Sequence, residues 1–217
     1  MENNELIAAA VAELKQPTNG VTEQFLDIHQ IASEDDKPKV AGSIISDDQK
    51  RAAVYFAVEG EKFYFVVYLG LGPEIIVTGV DTEDFYEIFF LATSEKQDAR
   101  QLATFTTLKP TKLWEKGDIR YGYTRWKYSG IKFEPYTKPD TFESKLGKLL
   151  SFLEQDAAGV CTLVNEAEGF IQVVAIFHNG NTWLGGVHLD KEVVRRLAAL
   201  HLEIDFALYA KGNFFKS

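Results

Sequence analysis

The hydrophobic pattern along the chain changes period several times, and each change marks an element. Across residues 2–15, Leu6, Ala9, Ala10, Glu13 and Leu14 recur at helical spacing among good helix formers, and Gln16-Pro17-Thr18-Asn19-Gly20 ends the run with breaker residues. A short amphipathic helix is expected to open the chain. After the polar, Pro-terminated segment 33–38 the pattern becomes strand-like. Residues 40–45, 52–58, 63–69 and 74–80 are β-branched and aromatic runs whose links are too short for a parallel crossover, which predicts an antiparallel meander.

Residues 85–92 are apolar at both alternating sets of positions except Glu87, the mark of a central strand covered on both sides. Ser94 and Gln97 match a capping box, with Ala99, Leu102 and Ala103 continuing at helical spacing. Residues 119–128 read as a strand with Tyr121, Tyr123, Arg125 and Lys127 on one face and Arg120, Thr124, Trp126 and Tyr128 on the other. Residues 141–164 form a long amphipathic helix, with Leu146, Leu149 and Leu153 on its apolar face and Gly159 as the expected break. Runs 170–177 and 182–188 flank Asn179-Gly180, a hairpin signal. Asp190 caps a helix carrying Val193, Val194 and Leu197, and Leu202, Ile204, Phe206 and Leu208 alternate in a last strand. The fold class this order predicts is α+β: a largely antiparallel sheet with helices packed on one face, in the style of a ferredoxin-like sandwich, preceded by a β-meander module. Two domains are expected, a helix plus meander over 1–80 and an α+β unit over 84–217.

Composition adds limits. The 217 residues are 46% hydrophobic and 25% charged, an ordinary globular balance. The opening residues lack a basic n-region and a continuous apolar h-region, and no run is long enough to span a bilayer, so a cytoplasmic protein without membrane contact is expected. A lone cysteine, Cys161, excludes an internal disulfide, and its apolar neighbours predict burial as a small hydrophobe. The hairpin register would hold His178 and His188 roughly 23 Å apart at ~3.3 Å per residue, so no metal is expected and His29, His178, His188 and His201 read as structural. No Walker A, dinucleotide fingerprint or nucleophile elbow is present, and no cofactor or catalytic residue is expected.

The net charge of −9 opposes a polyanion, so nucleic acid is not an expected partner. Residues 1–80 carry 6 Lys/Arg against 13 Asp/Glu, a net of −7, which suits them to steering toward a basic protein. Residues 106–132 run the other way, with seven cations against Glu115 and Asp118. Within this basic island Arg120, Arg125, Lys127, Trp114 and Trp126 are the candidate ligand-binding residues, since aromatics beside cations bind anions and stack on flat groups. Arg125 and Lys127 are the better candidates for contact and the two tryptophans for structure.

Pro110, Trp114, the Lys116-Gly117-Asp118 turn, Trp126, the leucine-rich helix and the closing Leu202 to Tyr209 resemble a bacterial family known only as domain of unknown function 4279, over about residues 84–210. The resemblance implies a small α+β domain and no established activity. The leading expectation is a non-enzymatic cytosolic bacterial protein that binds another macromolecule in the manner of an immunity or antitoxin-like factor. The alternative is a sensor of small anionic ligands.

Overall fold

The computed structural model describes residues 3–180 and 186–215. Helix α1 (Asn3–Lys15) opens the chain as expected. Glu13, although 2% exposed, is no member of an apolar stripe: its carboxylate accepts hydrogen bonds from the Thr18 and Asn19 amides and from the Thr18 and Thr22 hydroxyls. That acceptor folds the breaker segment into a turn and starts α2 (Gly20–Leu26), a helix too short to show periodicity, with Asn19 accepting from the Val21 amide at its N-cap.

After the small hairpin β1 (Ser33–Glu34) and β2 (Lys37–Pro38) comes the meander: β3 (Val40–Ile45), β4 (Arg51–Ala57), β5 (Tyr64–Leu71) and β6 (Ile75–Glu83), antiparallel in sequence order. One face buries Val54, Phe56, Phe65, Val67 and Leu69 against Leu6, Ala10 and Phe25 of the two helices. The other packs Tyr55, Tyr64 and Val66 with Phe85.

A single residue, Asp84, separates β6 from β7 (Phe85–Ser94), the middle strand of a second sheet. Its remaining elements are α3 (Ala99–Ala103), β8 (Lys112–Trp114), the hairpin β9 (Ile119–Tyr121) and β10 (Thr124–Arg125), β11 (Ser129–Phe133), α4 (Phe142–Leu153), α5 (Ala157–Glu166), β12 (Glu168–His178), α6 (Lys191–Ala199) and β13 (Glu203–Lys211). The five strands lie in the order β13, β12, β7, β11, β8. All pairs are antiparallel except β12 with β13, which α6 connects in parallel. The fold is α+β; five strands and a parallel edge pair distinguish the order from a ferredoxin-like one. Ile88, Phe90, Ala92, Ile171 and Val173 share one face with Leu102, Leu146, Leu150, Leu163 and Leu197 of the four helices.

Several local expectations change. The capping box lies one turn later, at Asp98 and Gln101, while the Ser94 hydroxyl accepts from the Lys96 and Gln97 amides in the preceding turn. The long helix breaks at Glu154–Asp156 instead of Gly159, because Asp156 turns its side chain to cap α5 and also takes the Thr106 and Thr107 hydroxyls. Gly159 sits inside α5 for want of room: a Cβ there would approach the Phe105 carbonyl oxygen to 2.7 Å. Both edges of β12 are taken, by β7 and by β13, whereas the Asn179-Gly180 signal predicts a hairpin there. Residues 181–185 of its second arm lie outside the described residues, and 186–188 are not strand. Cys161 is half-buried on the α5 face turned toward α6, with its thiol directed at the Ala199 carbonyl.

The histidines hold the largest surprise. His178, at the end of β12, is 1% exposed and reaches across to the first sheet's core, where its Nε2 lies 3.1 Å from Nε2 of His29 among Phe25, Phe63 and Phe215. The Asn213 amide donates to the same His29 Nε2, so that nitrogen is the acceptor, His178 Nε2 is the donor and both rings are neutral. Burial holds both imidazoles below the usual histidine range; for His178 the neighbouring His29 acts in the same sense, while Glu61 opposes at His29 and Asp81 at His178. A base kept neutral by the fold contributes stability above its unfolded value, near 6.5, that is lost as pH falls below it. Asp84 acts in reverse. Burial pushes its carboxyl up to about 6 despite the hydrogen bond from the Tyr86 hydroxyl, with Glu83 and Asp81 adding to the rise, so its contribution is present at acid pH and lost as pH climbs toward 6. Thermal melts from pH 4.5 to 8 separate the two: His178→Phe is expected to flatten the loss of stability below pH 6.5, and Asp84→Asn to raise the melting temperature more at pH 7.5 than at pH 4.5.

Candidate functional site: a hairpin on an open sheet face

Residues 119–128 are not one strand. They fold back on themselves, β9 pairing with β10 through the two-residue turn Gly122-Tyr123, with Gly122 in the left-handed region at φ +54°. At the base of this hairpin, Trp114 on β8 is 5% exposed and lies flat on Gly130, where any Cβ would meet the indole at 2.2 Å. Its Nε1 donates to the Tyr128 carbonyl at 3.1 Å. Trp126 stacks on its outer side at 4.6 Å, and the Arg120 guanidinium covers Trp126 at 4.6 Å in turn. Three of the five candidate residues are thus brought together. Arg125 reaches across the hairpin and donates from Nη1 to the Gly117 carbonyl at 2.6 Å, fixing a turn that needs glycine at φ +93°. Lys127 is exposed and stands apart from the stack.

The island's two acids are engaged by the backbone and a hydroxyl: Glu115 accepts from the Ala99 amide and the Ser129 hydroxyl, and the exposed Asp118 from the Glu115 amide. Beyond them the hairpin presents Ile119, Tyr121 and Tyr123, which are 66%, 85% and 105% exposed.

The hairpin stands at one side of the sheet face that the helices leave open. By strand alternation and register, that face carries Phe89 and Leu91 of β7, Phe170 and Val174 of β12 and Lys132 of β11, and the first four are half-buried. Here the expectation of a strand covered on both sides is corrected: one side of β7 meets helices, while Phe89 and Leu91 remain partly open. Lys132 lies 3.9 Å above the Phe89 ring and pairs with Glu87 at 2.7 Å and Glu134 at 2.8 Å. Burial works against its charge, but the hydrogen bonds to Glu134 and Glu87 outweigh it and hold the ammonium above the usual lysine range.

The stack and the hairpin stand at the β8 end of the open face, where Trp114 pairs with Gly130 of β11. Among the described residues no three His, Cys, Asp or Glu side chains gather as a metal would require, and no helix is long and apolar enough to cross a membrane.

An α+β protein with a helix-backed sheet and an open aromatic face is the class this architecture defines. Residues 84–211 match the family model of the domain of unknown function DUF4279, more than half of the chain, and the protein belongs to that family. No curated protein and no solved structure matches it.

Two substitutions test how the site is built. Trp114→Ala is expected to cost about 3 to 5 kcal/mol in chemical denaturation, as for other large buried aromatics. Tyr123→Ala, at the exposed tip, should stay within about 0.5 kcal/mol of the parent.

Proposed function

We propose that this is a non-enzymatic protein-binding factor that engages an acidic surface of its partner through the hairpin and the adjoining open sheet face. One observation carries the reading: Tyr121 and Tyr123 are 85% and 105% exposed on a hairpin whose base is fixed by the Trp114–Trp126 stack. Large aromatics held in water on a preorganised support lose little conformational entropy on binding, and tyrosine, tryptophan and arginine dominate the energetic centres of interfaces. The surrounding Arg120, Arg125 and Lys127 give the surface its sign, and Arg125 and Lys127 are the contact residues of choice.

The acidic front half supports a docking role less well. Its acids sit in separate turns, at Asp35-Asp36, Asp47-Asp48, Glu59 to Glu61 and Glu74, and successive turns of a meander alternate between opposite ends of the sheet. Its net of −7 acts as a field around the molecule more than as a face. We further propose that residues 1–80 and 84–217 are the two domains, and that the protein works in the cytoplasm without nucleic acid, in an immunity or antitoxin-like role.

Affinity purification from the native cell with parent, Tyr121→Ala/Tyr123→Ala and Arg125→Ser/Lys127→Ser chains tests the surface. One partner is expected to be retained by the parent and lost by both hairpin variants. Its association rate should fall steeply between 50 and about 200 mM salt, since exposed charges are screened beyond ~8 Å at physiological ionic strength. A partner captured equally by all three chains would place the interface elsewhere.

A further inference from the structure

A large cavity lies away from the hairpin, in the crevice where the two sheets meet. It has a volume of about 970 Å³ and runs between edge strand β3 and the segment leading into α4. Val40 and Ile44 form one wall and Pro135 and Pro139 the other, with Lys138 at the rim and Lys145 on the lining. The two walls touch at one end, where the Pro139 ring lies 3.1 Å from the position a Gly42 Cβ would take.

Lys145 is the unusual group. It is 4% exposed, yet no ion pair to it forms within 4 Å among the described residues. Its Nζ donates to the Tyr86 carbonyl at 2.5 Å and lies 5.7 Å from the Phe85 ring, one hydrogen bond for a group that carries three donors. The nearest acid on the same wall is already engaged: Asp140 accepts from Lys148 Nζ at 2.5 Å, from the Ser144 hydroxyl at 2.6 Å and from the Thr141 amide at 2.9 Å. Burial lowers the Lys145 ammonium from the ordinary lysine range, with Glu134, Asp140 and Glu87 opposing at longer distance and Lys148 adding to the fall. A buried ammonium with one carbonyl partner is poorly compensated, and a carboxylate is the group that completes it best.

We propose that this crevice binds a small organic acid, its carboxylate on Lys145 with Lys138 at the mouth and its apolar body between Val40, Ile44 and the two prolines. The cavity falls within the size range of small-molecule sites, and its lining sets three lysines, Lys138, Lys145 and Lys148, against Asp47 and Asp140 beside the apolar Val40, Ile44 and prolines, which suits an amphipathic anion over a bare inorganic one. The proposal is independent of the hairpin, since it uses no residue of the 115–128 segment.

Three probes that share a body and differ in head group test it on the full chain: 4-phenylbutyrate, 4-phenylbutan-1-ol and 4-phenylbutylamine, followed by thermal shift and by amide chemical shifts. The carboxylate is expected to raise the melting temperature and to bind about tenfold or more tightly than the alcohol, with the amine weakest, as one charge-assisted hydrogen bond implies. Its perturbations should centre on residues 40–44 and 136–148. Lys145→Met should lose that preference and Lys145→Arg should restore part of it. If Lys145→Met fails to fold, Lys138→Gln at the exposed rim and the shift map of the parent decide. Equal binding of all three probes, no binding, perturbations elsewhere, or a carboxylate preference that survives Lys145→Met would overturn the assignment.

Discussion

The passage from β6 to β7 through Asp84 alone is the constraint on which the rest of the structure depends. Two strands joined by one residue cannot hinge freely, so the end of the first sheet fixes where the central strand of the second begins. The junction is polar and crowded: the Tyr68 hydroxyl donates to Glu83, the Tyr86 hydroxyl to Asp84, and Phe85 packs beside Tyr64. The His29–His178 contact adds a second tie close by, since β12 pairs Ile176 with Phe85 and so ends beside the junction. Tied there by both contacts, the two sheets form the walls of the crevice beside Lys145.

The same fixed frame explains the division of labour on the second sheet. Its helix-backed face is filled by aliphatic and phenylalanine side chains, which bury surface without polar obligations. The other face keeps Phe89, Leu91 and Phe170 half-buried and places charge beside them in the form of a triply constrained lysine, Lys132. A bare apolar sheet face invites aggregation. Lys132 with its two carboxylates, and the hairpin standing at the sheet's edge, interrupt this one without covering it.

Much of the fold is legible in the sequence because it depends on short-range pattern. The meander, the central strand, the α4 stripe and the α6 cap at Asp190 follow from periodicity, link length and one capping side chain. What escapes is decided by distant partners. His29 and His178 are 149 positions apart, and nothing local to either marks the other. Beside the Asn179-Gly180 turn signal, the edge of β12 is held by β13, a strand from beyond α6 that no local pattern announces. The hairpin at Gly122 had a signal, a glycine between two tyrosines, hidden by the strand-like alternation around it. In the candidate site, the tryptophans and Arg120 were found by composition; Phe89, Leu91 and Phe170 were missed because a strand apolar on both faces looks the same whether its second face is covered or open.

The last described residues belong to the first core. Phe215 packs with the helices and strands of the opening segment, Asn213 bonds to Ile28 and His29, and Gly212 lies so close to Phe63 that a Cβ would stand 2.7 Å from its ring. The opening helices and the meander are therefore completed by residues 212–215. During synthesis at about 5 to 20 residues per second, the opening helices and meander wait of order ten seconds before the segment that seals them leaves the ribosome. Until then Phe25 and Phe63 are uncovered on a half-made core. A protein arranged in this way is most vulnerable to proteases and to aggregation while it is being made.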